Sequence, residues 1–315
     1  MNENDFISIR ISSLRGDLKI PFDLYIRVAG KYIHYCKTGD SFEGKRLNRL
    51  KEKKLEKLFI LKLAEKDFMD YLRANLNTAF DPNSNKAIEI RSEVAHGYVQ
   101  TAAEDLMESP TNANLYWTLI DSSKRFTQFL SANKSALKAI YDIENLDNNI
   151  GHHGTNVAAL AYYLARQIGL PDGDTLTQLV AGCLIHDIDH WHTRFNVAGL
   201  RADFSESELV QYKKHPRNGL LRFQNLNMDR LVKNIILQHE EACDGSGFPS
   251  GIREKELEPL VIVAAIANAF DRVVTFEGKR PKEALKFLLI DKLGVYPLNY
   301  LQGLQAVLRQ SGIIT

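Results

Sequence analysis

Leu179-Val180-Ala181-Gly182-Cys183-Leu184-Ile185-His186-Asp187 is the stretch whose reading decides the fold. Its apolar and small residues, too few for a membrane span, read as a helix buried on every side. The run ends on an imidazole beside a carboxylate. Removing both groups from water is costly unless a partner satisfies them, and a divalent cation satisfies both. A His-Asp pair alone is a weak signal, so the weight falls on what surrounds it.

Three further histidines lie in helical patterns on either side. His153 precedes an Ala-rich helix, His215 stands in Tyr212-Lys213-Lys214-His215-Pro216-Arg217, and His239 in Ile236-Leu237-Gln238-His239-Glu240-Glu241. Any one of them alone is as well explained by a structural role. As a set, a helical bundle can bring them to one centre. Several imidazoles with one carboxylate favour Fe, Mn or Zn over Mg or Ca.

The rest of the chain divides by pattern. Phe6–Ile11, Asp23–Val28 and Lys31–Cys36 alternate as strands, the last two around a hairpin turn at Ala29-Gly30. A charged helix at 43–56, a strand at 57–62 and an amphipathic helix at 65–76 complete a small α+β module. Asp81-Pro82-Asn83-Ser84-Asn85 punctuates its end. From Lys86 onward only helical patterns occur, near 86–107, 112–131, 133–146, 154–168, 174–187, 206–223, 228–240, 258–275 and 281–291. The expected class is mainly α. An N-terminal α+β domain (1–82) and a helical linker (83–146) precede an all-α bundle (147–315).

A formal net charge of +1 over 315 residues argues against a DNA-coating or membrane-surface protein. The apolar run Leu260–Ala267 stops at Asn268, well short of the roughly 20 residues a membrane span needs. The polar start Met1-Asn2-Glu3-Asn4-Asp5 is not a signal peptide, and three scattered cysteines, Cys36, Cys183 and Cys243, fit a reducing compartment. The expected location is cytoplasmic, with no DNA or membrane partner. The basic stretch Lys45–Lys66 reads as a solvated helix face.

The ordered set is more specific than its parts. His153, then His186-Asp187, His215-Pro216, His239-Glu240-Glu241, and Asp244-Gly245-Ser246-Gly247-Phe248-Pro249 resemble the signature of the HD-GYP family. That family carries a histidine, an HD pair followed closely by glycine-lysine, an HP pair, then HHE, DG and a GYP triplet. The resemblance covers roughly residues 140 to 290. It implies an HD-type helical bundle, two divalent metal ions (Fe or Mn, with Zn as the alternative) and hydrolysis of cyclic di-GMP.

Carried over by position, the metal ligands are His153, His186, Asp187, His215 and His239, with Asp187 bridging two ions. Glu241 and Asp244 correspond to carboxylates that orient histidine ligands. Phe248 and Arg217 are the expected substrate contacts. The N-terminal domain is the expected site of a protein partner.

Four departures bear on activity. Glu240 stands for the second histidine of HHE, and Asn268 for a late aspartate ligand. Asp189-His190 replaces the glycine-lysine pair, so His190 joins Asp187 as the expected catalytic group. Phe248 replaces the tyrosine of GYP. Asn149 stands where members with three metals carry a glutamate, which points to two ions. The expected function is a metal-dependent cyclic di-GMP phosphodiesterase. The alternatives are a degenerate, non-catalytic nucleotide receptor or interaction module, and a phosphohydrolase acting on other nucleotides.

Overall fold

The alternating N-terminal segments form a four-stranded antiparallel sheet in the order β1-β4-β2-β3, from β1 (Phe6–Arg10), β2 (Leu24–Val28), β3 (Lys31–Cys36) and β4 (Lys57–Leu61). The computed structural model describes residues 3–15, 18–42, 46–53, 55–144, 149–170, 172–193 and 196–315. The expected hairpin is present, with Val28 opposite Lys31 and Leu24 opposite Cys36. Helix α1 (Arg46–Glu52) lies within the expected 43–56, of which 43–45 and 54 fall outside the described residues. Helix α2 (Glu65–Phe80) lays Tyr71 on a core of Phe22, Leu24, Phe42, Leu58 and Ile60. The Tyr71 hydroxyl accepts the Arg15 backbone N–H at 3.0 Å, so its polar end is satisfied inside that core.

The remaining elements are helical: α3 (Ile88–Glu108), α4 (Ala113–Ala132), α5 (Ala136–Tyr141), α6 (Ile150–Gln167), α7 (Asp174–Ile185), α8 (Ile188–His192), α9 (Glu206–Arg222), α10 (Arg230–Gln238), α11 (Pro259–Thr275), α12 (Pro281–Lys286) and α13 (Leu298–Gln310). The expected helix at 281–291 is α12 followed by a wider, π-type turn at Phe287–Asp291. Two helices are absent from the sequence expectation. One is the short α8. The other is α13, although its buried Leu301, Leu304, Val307 and Leu308 stand at helical spacing.

Packing divides the chain between Thr101 and Ala102, where the sequence pattern suggests 82/83 and 146/147. Residues 145–148, around the second expected boundary, lie outside the described residues. Within the second unit α4 packs on α7, and α5 on α6. The reason is a buried stripe at helical spacing on α4: Tyr116, Leu119, Ser123, Phe126 and Leu130. Much of the segment that reads as a linker therefore contributes to the bundle core.

Helix α6 is buried almost all round and packs on α7, α11 and α13. Asn149 caps it, its Oδ1 accepting the N–H groups of Gly151 (2.6 Å) and His152 (3.2 Å). That use of Asn149 is helix capping. Two glycines bring the helices together. A Cβ on Gly154 would lie 2.7 Å from the Leu184 carbonyl oxygen on α7, and one on Gly182 would lie 2.8 Å from the Ile235 side chain on α10. The α6–α7 approach is backbone against side chain position, and a carbonyl in a helix cannot step aside as a side chain can.

Gly154→Ala tests this. Alanine gains about 1 kcal/mol in helix propensity. Overpacking a rigid contact costs about 1–3 kcal/mol, and here the obstacle is backbone, so the steric cost wins. The expected outcome is a melting temperature lower by about 3 °C or more, read by thermal denaturation. An unchanged or raised value would mean that α6 and α7 can separate freely.

Candidate metal centre

Five side chains from four helices meet in the bundle interior: His153 from α6, His186 and Asp187 from the end of α7, His215 from α9 and His239 from the end of α10. The four histidines are 1% exposed and Asp187 6%. Close helix packing produces the juxtaposition. The His153 and His186 rings are 5.1 Å apart, and the His186 and His239 rings 4.6 Å.

Each ring is oriented through its Nδ1. That atom lies 2.7 Å from the Cys183 carbonyl for His186, 2.6 Å from the Tyr212 carbonyl for His215, and 2.9 Å from the Ile236 carbonyl for His239. A carbonyl can only accept, so Nδ1–H donates and Nε2 keeps its lone pair. The Asp271 carboxylate does the same for His153 at 2.7 Å.

The four Nε2 atoms converge on Asp187. Its Oδ1 is 3.2 Å from His215 and 3.3 Å from His239, and its Oδ2 is 3.5 Å from His186 and 3.7 Å from His153. The Nε2 atoms of His215 and His239 are 2.7 Å apart. Two lone pairs at that distance repel unless a proton or a cation lies between them. His186 Nε2 and Asp187 Oδ1 are buried without a hydrogen-bond partner, at a cost of roughly 1–3 kcal/mol each.

A divalent ion would satisfy every one of these atoms, so the residues fit a metal. Among the described residues, three groups have ligand atoms close enough to share one: His153, His186 and Asp187; Asp187, His190 and His215; and His215, His239 and Glu240. Neutral imidazoles with carboxylate oxygens suit Fe, Mn or Zn.

The electrostatics favour an ionised Asp187 and a neutral His186. Burial by itself would raise the Asp187 carboxyl, yet the surrounding imidazoles hold it well below the usual carboxylate range. Burial pushes His186 down to about 3, which keeps it neutral. Burial disfavours charge on His239, but the Asp187 carboxylate outweighs it and raises that imidazole. His190 is driven well below the ordinary imidazole value by burial and by His215.

Among the departures, Glu240 Oε1 accepts from Arg201 Nη2 at 2.6 Å, the Tyr212 hydroxyl at 2.7 Å and Asn268 Nδ2 at 3.3 Å. Burial would raise Glu240, but Arg201 brings it to about 2. Because Nδ2 is turned to Glu240, the Asn268 carbonyl oxygen faces His153 Nε2 at 3.0 Å. His190 stacks on Tyr212, with ring centroids 5.4 Å apart. Phe248 packs edge-on to Tyr212 (5.9 Å) and His215 (6.1 Å) at the border of the centre.

Three expected residues do other work in this structure. Glu241 accepts the backbone N–H groups of Ser250, Gly251 and Ile252 at 2.7, 3.0 and 3.3 Å, so it anchors a loop. Asp244 accepts from Ser246 N and Oγ in a local turn. Arg217 reaches the Pro249 carbonyl at 3.4 Å from the surface. The orienting carboxylate is Asp271, which sequence reasoning passed over. Its signal was its place one turn after Asn268 on the apolar α11. The pairing of Arg201 and Tyr212 with Glu240 is marked by no spacing in the chain, because only folding brings them together.

A family profile described as an HD domain matches residues 138–292. The chain is 25% identical over 202 residues to the cyclic di-GMP phosphodiesterase PA4108 of Pseudomonas aeruginosa, covering 56% of this chain and 49% of that protein. It is 22% identical over 227 residues to a cyclic di-GMP phosphodiesterase of Thermotoga maritima, covering 61% of each. The chain thus spans about half to three-fifths of these relatives' length. Among solved structures it is similar to Bd1817 of Bdellovibrio bacteriovorus, described as an HDG"Y"P protein. The TM-score is 0.91 at 41% identity, covering 97% of this chain and 100% of that one.

Glu241→Ala probes the loop anchor. The variant strands three backbone donors, all accepted by the buried Glu241 carboxylate, and should destabilise the protein by about 2–4 kcal/mol in urea denaturation. A loss below about 0.5 kcal/mol would mean that water replaces the carboxylate at no cost.

Proposed function

The chain belongs to the HD-GYP family of HD-domain proteins, and from that membership we propose that it is a metal-dependent phosphodiesterase that hydrolyses cyclic di-GMP. The observation that carries the reading is the convergence of four Nε2 lone pairs on the buried Asp187 carboxylate. His153, His186 and Asp187, with the Asn268 oxygen, would hold one ion. His215, His239 and Glu240, with Asp187 shared, would hold the second. When bound, such ions supply Lewis-acid charge to a phosphoryl group at near-neutral pH.

The protein's own groups have distinct tasks. The backbone carbonyls of Cys183, Tyr212 and Ile236 and the Asp271 carboxylate take the Nδ1 protons, so each neutral ring turns its Nε2 toward Asp187. In hydrolysis a water oxygen bonds to phosphorus, the bond from phosphorus to the ribose oxygen breaks, and the leaving oxygen takes a proton. His190, buried between Tyr212 and His215, is one candidate relay for that proton, and its depressed basicity would make it a transient carrier, with water as the other candidate. Phe248 offers a ring to a base, and the surface guanidinium of Arg217 lies on the same loop side, bonded to Pro249.

A second reading rests on a specific observation. Asn268 offers only a neutral oxygen, and Glu240 Oε1 is already engaged by three donors. Weakened ligands of this kind fit a receptor that binds the dinucleotide without cleaving it.

One experiment separates the readings. The full chain, purified without chelator and supplied with Mn2+ or Fe2+, should take up about two equivalents of metal and convert cyclic di-GMP to the linear dinucleotide or GMP. His186→Ala and Asp187→Ala should lose metal and turnover together, by at least about a hundredfold in rate. Full turnover in either variant refutes the site. Metal uptake with tight dinucleotide binding and no product identifies the receptor.

A further inference from the structure

The glycine-lysine pair of the resembled signature is Asp189-His190 in this chain. A substrate phosphate therefore needs another cation, and most of the described candidates near the centre are committed elsewhere. Arg222 Nε and Nη2 donate to Asp189 at 2.9 and 2.6 Å. Arg272 donates to the carbonyls of Val197 and Gly199 at 3.0 and 3.3 Å. Arg217 stands on the surface, reaching the Pro249 carbonyl.

Arg201 differs in its acidic partner and in its exposure, whereas Arg272, which also lies over Tyr212 and also has an unpartnered Nε, is 3% exposed. Arg201 Nη2 lies 2.6 Å from Glu240 Oε1, and Glu240 shares a ligand group with His215 and His239. Its guanidinium lies over the Tyr212 ring, 4.7 Å from the centroid, and the Tyr212 hydroxyl is 2.6 Å from Nη2. Its side chain keeps 36% of its surface exposed, while its Nε has no hydrogen-bond partner. The Nε is buried, but the guanidinium is pinned through Nη2 alone, so Nη1 on the partly exposed side still has N–H groups to give.

We propose that Arg201 is the phosphate-binding cation of this centre, donating from its remaining N–H groups to a phosphoryl oxygen of a phosphodiester at the His215, His239 and Glu240 group. The inference rests on the phosphodiesterase reading and deepens it. A planar guanidinium is suited to phosphate oxygens, and it loses little freedom on binding when one edge is already fixed. The pairing also cancels charge. Glu240 adds a negative charge where the signature has a neutral imidazole, and Arg201 offsets it, so an anionic substrate does not meet a bare carboxylate.

The test uses the Mn2+-loaded full chain with Arg201→Gln and Arg201→Lys. The first leaves Glu240 without its ion pair, so circular dichroism and metal content accompany every measurement. The second keeps the charge and removes the fork. With metal content unchanged, the Kd and KM for cyclic di-GMP should rise about tenfold or more in Arg201→Gln and less in Arg201→Lys, with kcat falling less than KM rises.

Wild-type affinity in a folded, metal-loaded Arg201→Gln overturns the proposal. So does loss of metal in step with affinity in both variants, which would make Arg201 a positioning residue for Glu240. If the wild-type chain neither binds nor cleaves cyclic di-GMP, the phosphodiesterase reading fails, and binding of inorganic phosphate to the same proteins decides Arg201. Weaker phosphate binding in the variants sustains it as an oxyanion contact, and equal binding removes it.

Discussion

Four imidazoles with their protons committed outward leave four lone pairs pointing at one buried carboxylate, and the second unit is organised around that constraint. Three rings are held by backbone carbonyls and the fourth by Asp271. Two of those carbonyls come from the last turn of the helix that carries the histidine itself, Cys183 for His186 and Ile236 for His239. Helix termini leave such carbonyls without intrahelical partners, so the same feature that ends the helix aims the ring. The cost of burying Asp187 and unpartnered nitrogens is acceptable only where a cation can join them.

Helix spacing is the second requirement. Ligands on α6, α7 and α10 meet because Gly154 and Gly182 remove side-chain bulk at the crossings. A larger residue at either crossing would separate the rings before it disturbed any ligand directly. The stability of the bundle and the geometry of its centre thus depend on the same contacts.

Two of the departures from the family signature, Glu240 and Asn268, form a connected group with Tyr212 and Arg201. Glu240, Asn268, Tyr212 and Arg201 are joined by hydrogen bonds that end on one carboxylate oxygen. The added negative charge of Glu240 is met by the Arg201 guanidinium, and the Asn268 amide is turned by Glu240 so that its oxygen faces His153. Taken singly, each replacement looks like a loss of function. Taken together, the carboxylate gained at Glu240 and the one lost at Asn268 leave the formal charge of the two positions unchanged while altering their donors.

Much of this was legible in the chain itself. Alternation identifies β1 to β4 because a sheet with one buried face needs a period of two, and apolar spacing identifies most helices because a buried stripe recurs every three to four residues. The ordered histidines mark the rings that meet at Asp187, since few other arrangements call for buried imidazoles beside a buried aspartate. The roles of Glu241, Asp244 and Asp271 were decided only by tertiary structure. A carboxylate's partner is whatever the fold places within about 3 Å, and neither a loop anchored by Glu241 nor a ring held by Asp271 has a sequence period. The same holds for Arg201, 39 residues from Glu240 along the chain yet bonded to it at 2.6 Å. Local pattern determines what each segment becomes, whereas long-range packing determines which charges meet.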